Sequence, residues 1–162
     1  MHFEFETRTA VVRGRLRSFK VFEHPGAVAI VAVRDGRVAL ISQYRPAAGR
    51  ELWELPAGTL ERGEEPAACA KRELAEETGF RAGRVEPLGG FFLAPGYSTE
   101  WLHVFLATEL TEGESRFDDA EEITALRWLS PAEWRDEIAA GTIADAKTIA
   151  ALTLYTLHGA RL

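Results

Sequence analysis

The run from Gly58 to Phe80 constrains this chain more than any other stretch. At its centre, Arg72-Glu73-Leu74-Ala75-Glu76-Glu77 sets Glu73, Glu76 and Glu77 at i, i+3 and i+4, so on a helix these carboxylates project from one side. The flanking residues predict that helix: Pro66 suits a first helical position and Gly79 a C-terminal cap. Ala67, Ala70 and Leu74 are expected on the core-facing side, where small alanines let the helix sit close to a sheet. Like charges at this spacing cost a helix about 0.2–0.5 kcal/mol per pair. A hard divalent cation such as Mg2+ offsets that repulsion; it takes oxygen ligands in an octahedral shell and keeps positions for water and phosphate.

The spacing is also a signature. Gly, five residues, Glu, seven residues, Arg-Glu, an aliphatic, any residue, Glu-Glu, any residue, Gly and an apolar residue is filled at every position by Gly58, Glu64, Arg72, Glu73, Leu74, Glu76, Glu77, Gly79 and Phe80. This resembles the motif of the Nudix hydrolases, and the resemblance covers about residues 26–155. It implies the Nudix fold, a helix–sheet–helix sandwich, and the attack of water on a diphosphate linked to another moiety. It also implies Glu73 and Glu77 as metal ligands with Glu76 beside them, and the backbone carbonyl of Ala57 as a further ligand. Arg72 is expected to pair with a glutamate and orient it. Glu64 is expected to brace the loop and helix start. Gly58 and Gly63 are expected to let the loop fold close against the helix. The plainer alternative is an exposed acidic helix with an Arg72–Glu76 pair.

A second segment, Leu93-Ala94-Pro95-Gly96-Tyr97-Ser98-Thr99-Glu100, has its proline sixteen residues after Gly79 and an acidic residue four after Gly96. It resembles the ADP-ribose pyrophosphatase branch of the family, which carries Ser where this chain has Ala94. Gln43-Tyr44-Arg45-Pro46 and the stretch Glu51 to Gly58 resemble the same branch. On that resemblance the substrate-binding candidates are Arg45, Glu54, Pro95, Gly96, Tyr97 and Glu100. Arg45 has the planar fork to grip a phosphate, and Glu54 and Glu100 can accept from ribose hydroxyls. Phe22, Tyr44 and Tyr97 are candidates for an apolar slot for adenine. The general base is expected in Asp118-Asp119-Ala120-Glu121-Glu122, with Glu121 first and Asp119 and Glu122 after it. Asp145-Ala146-Lys147-Thr148 resembles the family's C-terminal element, with Lys147 in a structural role. The implied activity is Mg2+-dependent, with Mn2+ as a substitute. It hydrolyses a nucleoside diphosphate sugar, ADP-ribose giving AMP and ribose 5-phosphate. GDP-mannose, a flavin or nicotinamide dinucleotide, a nucleoside triphosphate, or nucleotide sensing without turnover remain open.

Composition narrows the partners. A chain of 162 residues is expected to form one domain, 1–162. Its net charge is −6 and it has no basic run, which argues against nucleic acid and anionic membrane as partners. Its one cysteine, Cys69, excludes an intrachain disulfide, fits a cytoplasmic location and reads as a packing residue. The N-terminus lacks the basic and apolar regions of a signal peptide, and no apolar run approaches the ~20 residues of a membrane span.

Along the chain, Phe3 to Val12 and Leu16 to Phe22 are predicted strands around Arg13-Gly14-Arg15. The wholly apolar Ala27 to Val33 is a buried central strand. Asp35-Gly36 turns it back into Arg37 to Tyr44. Leu52 to Leu55 is a short strand stopped by Pro56, and Val85 to Leu93, Trp101 to Leu110 and Ile123 to Trp128 are further strands. Glu112 to Glu122 is a polar connection. Ser130 and Glu133 form a capping box, and Asp145 to Tyr155 is a terminal helix. Trp53, Trp101, Trp128 and Trp134 are expected in the core or an interface. The fold class is therefore α/β with a mixed sheet and an N-terminal antiparallel strand pair. The branch it resembles is commonly dimeric through exchanged N-terminal strands, and residues 3–22 are long enough for that, so a homodimer is expected.

Overall fold

A computed structural model of the chain describes residues 5–113 and 123–159. β1 (Phe5–Val12) and β2 (Arg15–Phe22) form an antiparallel hairpin of their own. The main sheet follows, with β3 (Ala27–Arg34), β4 (Arg37–Arg45), β5 (Arg50–Glu54) and β6 (Ala57–Thr59). Helix α1 (Pro66–Thr78) leads into β7 (Phe80–Phe92), β8 (Trp101–Glu112) and β9 (Ile123–Leu129), and α2 (Pro131–Ala139) and α3 (Ala146–Gly159) close the described chain.

The sheet is mixed. β3 runs parallel to β8, which pairs antiparallel with β7, while β4 lies between β5 and β9, both antiparallel to it. β3 and β4 pair only beside their Asp35-Gly36 turn, at Val33↔Val38 and Arg34↔Arg37. Both turn residues have positive φ, 52° and 72°, as a tight twisted hairpin needs. Away from the turn the two strands part, and β6 takes β3's free edge, with Ala29 opposite Ala57 and Ala27 opposite Thr59. The cleft that carries the candidate site opens at this divergence.

Alternation along β3 distributes its apolar residues to two cores. Ala27, Ala29 and Val31 join Leu40, Leu55, Leu102, Val104, Trp134, Ala151 and Leu152 beneath α2 and α3. Val28, Ile30 and Ala32 join Leu60, Cys69, Ala70, Leu74, Phe105 and Ala107 beneath α1. A strand buried on both faces has no room for polar alternation, which explains its unbroken apolar run. Each fully buried Leu or Ile contributes about 1.5–3 kcal/mol, and Ile30, Leu40, Leu74, Leu102 and Leu152 are among those sealed from solvent.

Several expectations shift. Ala67 is exposed, and Cys69 takes its place in the core beside Ala70 and Leu74. Glu73 and Glu77 are buried as well, because the loop ahead of α1 folds across their side of the helix. The short β6 was not expected after Pro56, and β7 begins directly after the helix cap rather than at Val85. Gly79 caps α1 in the left-handed region, φ 74°. Ser130 and Glu133 form the capping box of α2. Among the described residues, no helix is long and apolar enough to cross a membrane.

Candidate active site

The loop from Pro56 to Gly63 lies against α1 so closely that any side chain at position 58 would displace Glu73. A Cβ there would stand 1.9 Å from the Glu73 carboxylate. Glu73 and Glu77, at 5% and 3% exposure, thus lie under a strip of backbone, and Glu77 Oε2 accepts the Ala57 N–H at 2.8 Å.

Arg72 ties this wall together. It donates to both oxygens of Glu64, at 2.9 and 3.0 Å, to Glu76 at 2.8 Å, and pairs with Glu73 at 2.7 Å. Glu64 also accepts the Glu61 N–H at 3.0 Å. The Arg72 hydrogen bonds and that backbone N–H hold the Glu64 carboxyl down at about 2. The same carboxylates raise Arg72 above its ordinary value, Glu64 first. Burial, with Glu64 nearby, pushes the Cys69 thiol up to about 12, which removes it as a nucleophile.

The opposite wall is cationic. The Arg45 guanidinium makes a forked contact with Glu54, 2.9 and 2.7 Å, and Lys147 Nζ reaches the same carboxylate. Burial alone would raise Glu54, which is 1% exposed, yet Arg45 and Lys147 hold its carboxyl below the usual range. The Glu54 contact in turn raises Arg45. Lys147 also pairs with Asp145 at 3.0 Å. Asp145 caps α3 by accepting the Thr148 N–H at 3.0 Å. The buried Thr148 hydroxyl accepts the Leu55 N–H at 2.9 Å and donates to Asp145 at 2.7 Å.

Between the walls lie two adjoining cavities that share Arg45, Ala57, Gly58 and Thr59. The one over α1, about 380 Å3, is bordered by Gln43, Glu61, Arg72, Glu73 and Glu77. The other, about 310 Å3, is bordered by Ala27, Leu93, Glu100, Leu102 and Lys147. β4 shifts register against β9 between Ser42 and Gln43, the kind of irregularity that re-aims side chains beside a site.

The cleft brings together Ala57, Arg72, Glu73, Glu77, Arg45 and Glu100 of the sequence-predicted residues. Glu54 lies beneath it, engaged by two cations rather than presented to a ligand. Glu76 is 43% exposed and drawn to Arg72. Pro95, Gly96 and Tyr97 border a separate hollow of about 450 Å3 against Arg8, Phe19 and Val21 of the hairpin. Asp119, Glu121 and Glu122 lie outside the described residues. Lys147, expected only to support the helix, borders the cleft, and Gln43 joins it without having been expected there.

The donor set suits a hard divalent cation: two buried carboxylates bordering a polar cavity that Ala57 and Gly58 also line. Among the described residues no three His, Cys, Asp or Glu side chains converge as a ready cage; Glu73 and Glu76 share the same terminal nitrogen of Arg72 instead. Mg2+ characteristically takes one or two carboxylates and completes its shell with water and substrate phosphate, so two suffice.

Comparison with known proteins places this geometry. The NUDIX domain matches residues 23–152. The chain belongs to the Nudix family. It is 36% identical over 149 residues to an ADP-ribose pyrophosphatase of Bacillus subtilis (strain 168), spanning 91% of this chain and 80% of that protein. It is 41% identical over 140 residues to an ADP-ribose pyrophosphatase of Mycobacterium tuberculosis (strain ATCC 25618 / H37Rv), spanning 85% of this chain and 68% of that one. The crystal structure of an ADP compounds hydrolase superposes with a TM-score of 0.82 at 24% identity, over 95% of this chain and 84% of its own, a likeness of fold. The helix–sheet–helix sandwich is thus the Nudix fold, and the protein is a Nudix hydrolase whose family works with a divalent cation.

Proposed function

We propose that this Nudix enzyme hydrolyses the diphosphate of a nucleoside diphosphate sugar, ADP-ribose, to AMP and ribose 5-phosphate, with Mg2+ as its cation and Mn2+ as a substitute. The observation that carries the reading is the pairing of the two walls: buried Glu73 and Glu77 on one side, and Arg45 with Lys147 on the other. An anionic diphosphate needs both a cation site and fixed positive side chains. The likeness to two ADP-ribose pyrophosphatases supports the substrate.

Glu73, Glu77 and the Ala57 carbonyl would hold the cation, with Glu76 in reserve. Bound there, it supplies Lewis acidity toward the diphosphate and acidifies water. Arg72 keeps Glu73 in place through its 2.7 Å contact. Arg45 offers its remaining N–H groups to a phosphate oxygen, and Glu100, on the far rim, accepts from a ribose hydroxyl. Glu121 is the proposed base, with Asp119 and Glu122 beside it in sequence.

The reading extends to a cytoplasmic homodimer. The β1–β2 hairpin exposes Phe5, Val11, Leu16 and Phe19 and joins the body mainly through Phe22, whose N–H donates to Tyr97 at 2.7 Å. A lone two-stranded hairpin is marginally stable in water, and a second copy of the chain is the proposed cover.

The test is release of phosphate monoester with Mg2+ across ADP-ribose, GDP-mannose, UDP-glucose, NADH, FAD, diadenosine polyphosphates and dNTPs. Preference for ADP-ribose, abolished by EDTA, is expected. Preference for another compound retains the hydrolase and discards the substrate, and no turnover of any favours a nucleotide sensor.

A further inference from the structure

We propose that Lys147 is a positioning residue of the cleft, fixing through Glu54 the direction in which Arg45 presents its guanidinium; this rests on the diphosphate-hydrolase reading above. Glu54 is 1% exposed and carries both cations. Its two oxygens accept Nε and one terminal nitrogen of Arg45 at 2.9 and 2.7 Å. The second oxygen also takes Lys147 Nζ. The fork leaves the remaining guanidinium N–H groups of Arg45, whose side chain is 39% exposed, toward the shared part of the cleft.

Lys147 is itself fixed. Its side chain is 12% exposed, and Asp145, the capping residue of the same helix, holds its Nζ at 3.0 Å. Asp145 is locked by the N–H and hydroxyl of buried Thr148. The result is a closed set in which two cations, Arg45 and Lys147, balance two carboxylates, Glu54 and Asp145.

That balance has a consequence for an anionic ligand. With Lys147 present, Glu54 is compensated twice and Arg45 can share its charge with a phosphate. Without it, the set carries a net negative charge beside Glu100, and Arg45 is left as the sole cation on a buried carboxylate. An uncompensated buried carboxylate is strongly unfavourable, so Glu54 would compete with the phosphate for Arg45. The expected loss is therefore in substrate binding rather than in the chemical step.

The experiment compares the full-length protein with Lys147→Met and Lys147→Arg, by steady-state kinetics on ADP-ribose with Mg2+ and by NMR of the Arg45 Nε–H resonance, assigned with Arg45→Lys. Lys147→Met is expected to raise KM about tenfold or more with kcat within about threefold, the pattern of lost uniform binding. The Arg45 Nε–H, drawn more tightly onto Glu54, should then shift and exchange more slowly with water, and Lys147→Arg should recover most of both effects. Unchanged KM together with an unmoved Arg45 resonance overturns the proposal. So does a loss of kcat that Lys147→Arg fails to restore. Should Lys147→Met fold poorly, Lys147→Arg against wild type decides through the Arg45 resonance, which must keep its wild-type position and exchange rate. If the wild type ignores ADP-ribose, the substrate reading fails; the resonance, which needs no turnover, still decides the role of Lys147.

Discussion

The two walls of the cleft are built in opposite ways. The anionic wall comes from one short stretch: a loop, its glycine and a helix, with Arg72 reaching Glu64, Glu73 and Glu76 within eight residues of itself. The cationic wall is assembled from β4, β5 and the start of α3, and its Lys147–Glu54 contact spans 93 residues of chain. A local wall keeps its geometry through backbone proximity. A wall gathered from afar keeps it only if the elements beneath it pack correctly. Perturbing the first should therefore damage function ahead of stability, and perturbing the second should cost stability and binding together.

The sharpest way to break that contrast is Gly58→Ala. The added methyl would meet the end of the Glu73 side chain at 1.9 Å, and a carboxylate tip can swing aside at small energetic cost. A misplacement of about 1 Å at a site can lower rate ~100-fold. Turnover should fall by that order while the melting temperature moves little, as read by parallel assays and thermal denaturation. A large fall in stability with activity retained per folded molecule would reverse the roles assigned to the walls.

Thr148→Val probes the distant wall at nearly constant volume. It removes the acceptor of the buried Leu55 N–H and one of the anchors of Asp145. An orphaned buried donor costs about 1–3 kcal/mol, which for a domain of this size lowers the melting temperature by roughly 2–12 °C. Below the new transition kcat should survive within a few fold while KM rises, because Asp145 and with it Lys147 lose an anchor. An unchanged melting temperature would mean that the α3 start is not a support of the cleft.

The smallest effect concerns pH. Glu64 is held at about 2 against an ordinary 4.5, so it is depressed on folding. Its contribution is complete above about 4.5 and disappears as pH falls toward about 2. Glu64→Gln should lose less stability than wild type across that window in denaturation at stepped pH, and the two should run parallel above it. Divergence above pH 5 instead would contradict the assignment to Glu64.

The contrast between the walls also explains what could be read beforehand. The anionic wall was legible because its partners share a helix or the loop leading into it, so spacing alone placed Glu73 and Glu77 beside each other. The unbroken apolar run of β3 announced a strand buried on both faces, and Pro66, Gly79 and the Ser130–Glu133 pair marked helix ends. Helical spacing could not show that the carboxylates lie inside while Ala67 faces solvent; the loop crossing at Gly58 decides that, and it is a tertiary contact. Lys147 had no local signal for the cleft, since its partner Glu54 precedes it by most of the chain. The start of α3 itself was legible, since Asp145 was expected to open the terminal helix and caps it. Likewise Pro95 and Tyr97 follow Gly79 at a suggestive distance, yet they border the hairpin hollow, while the two ends of that segment, Leu93 and Glu100, reach the cleft.

The central claim is that buried Glu73 and Glu77, held under the Gly58 strip, form the cation site. Its most direct measurement is Mn2+ binding to the full-length protein by electron paramagnetic resonance without nucleotide, wild type against Glu77→Gln. The substituted amide keeps an oxygen for the Ala57 N–H, so the fold should persist, while affinity should fall at least ~10-fold with the loss of one charged ligand. Equal Mn2+ affinity in the two proteins, with melting curves that coincide, would contradict the account.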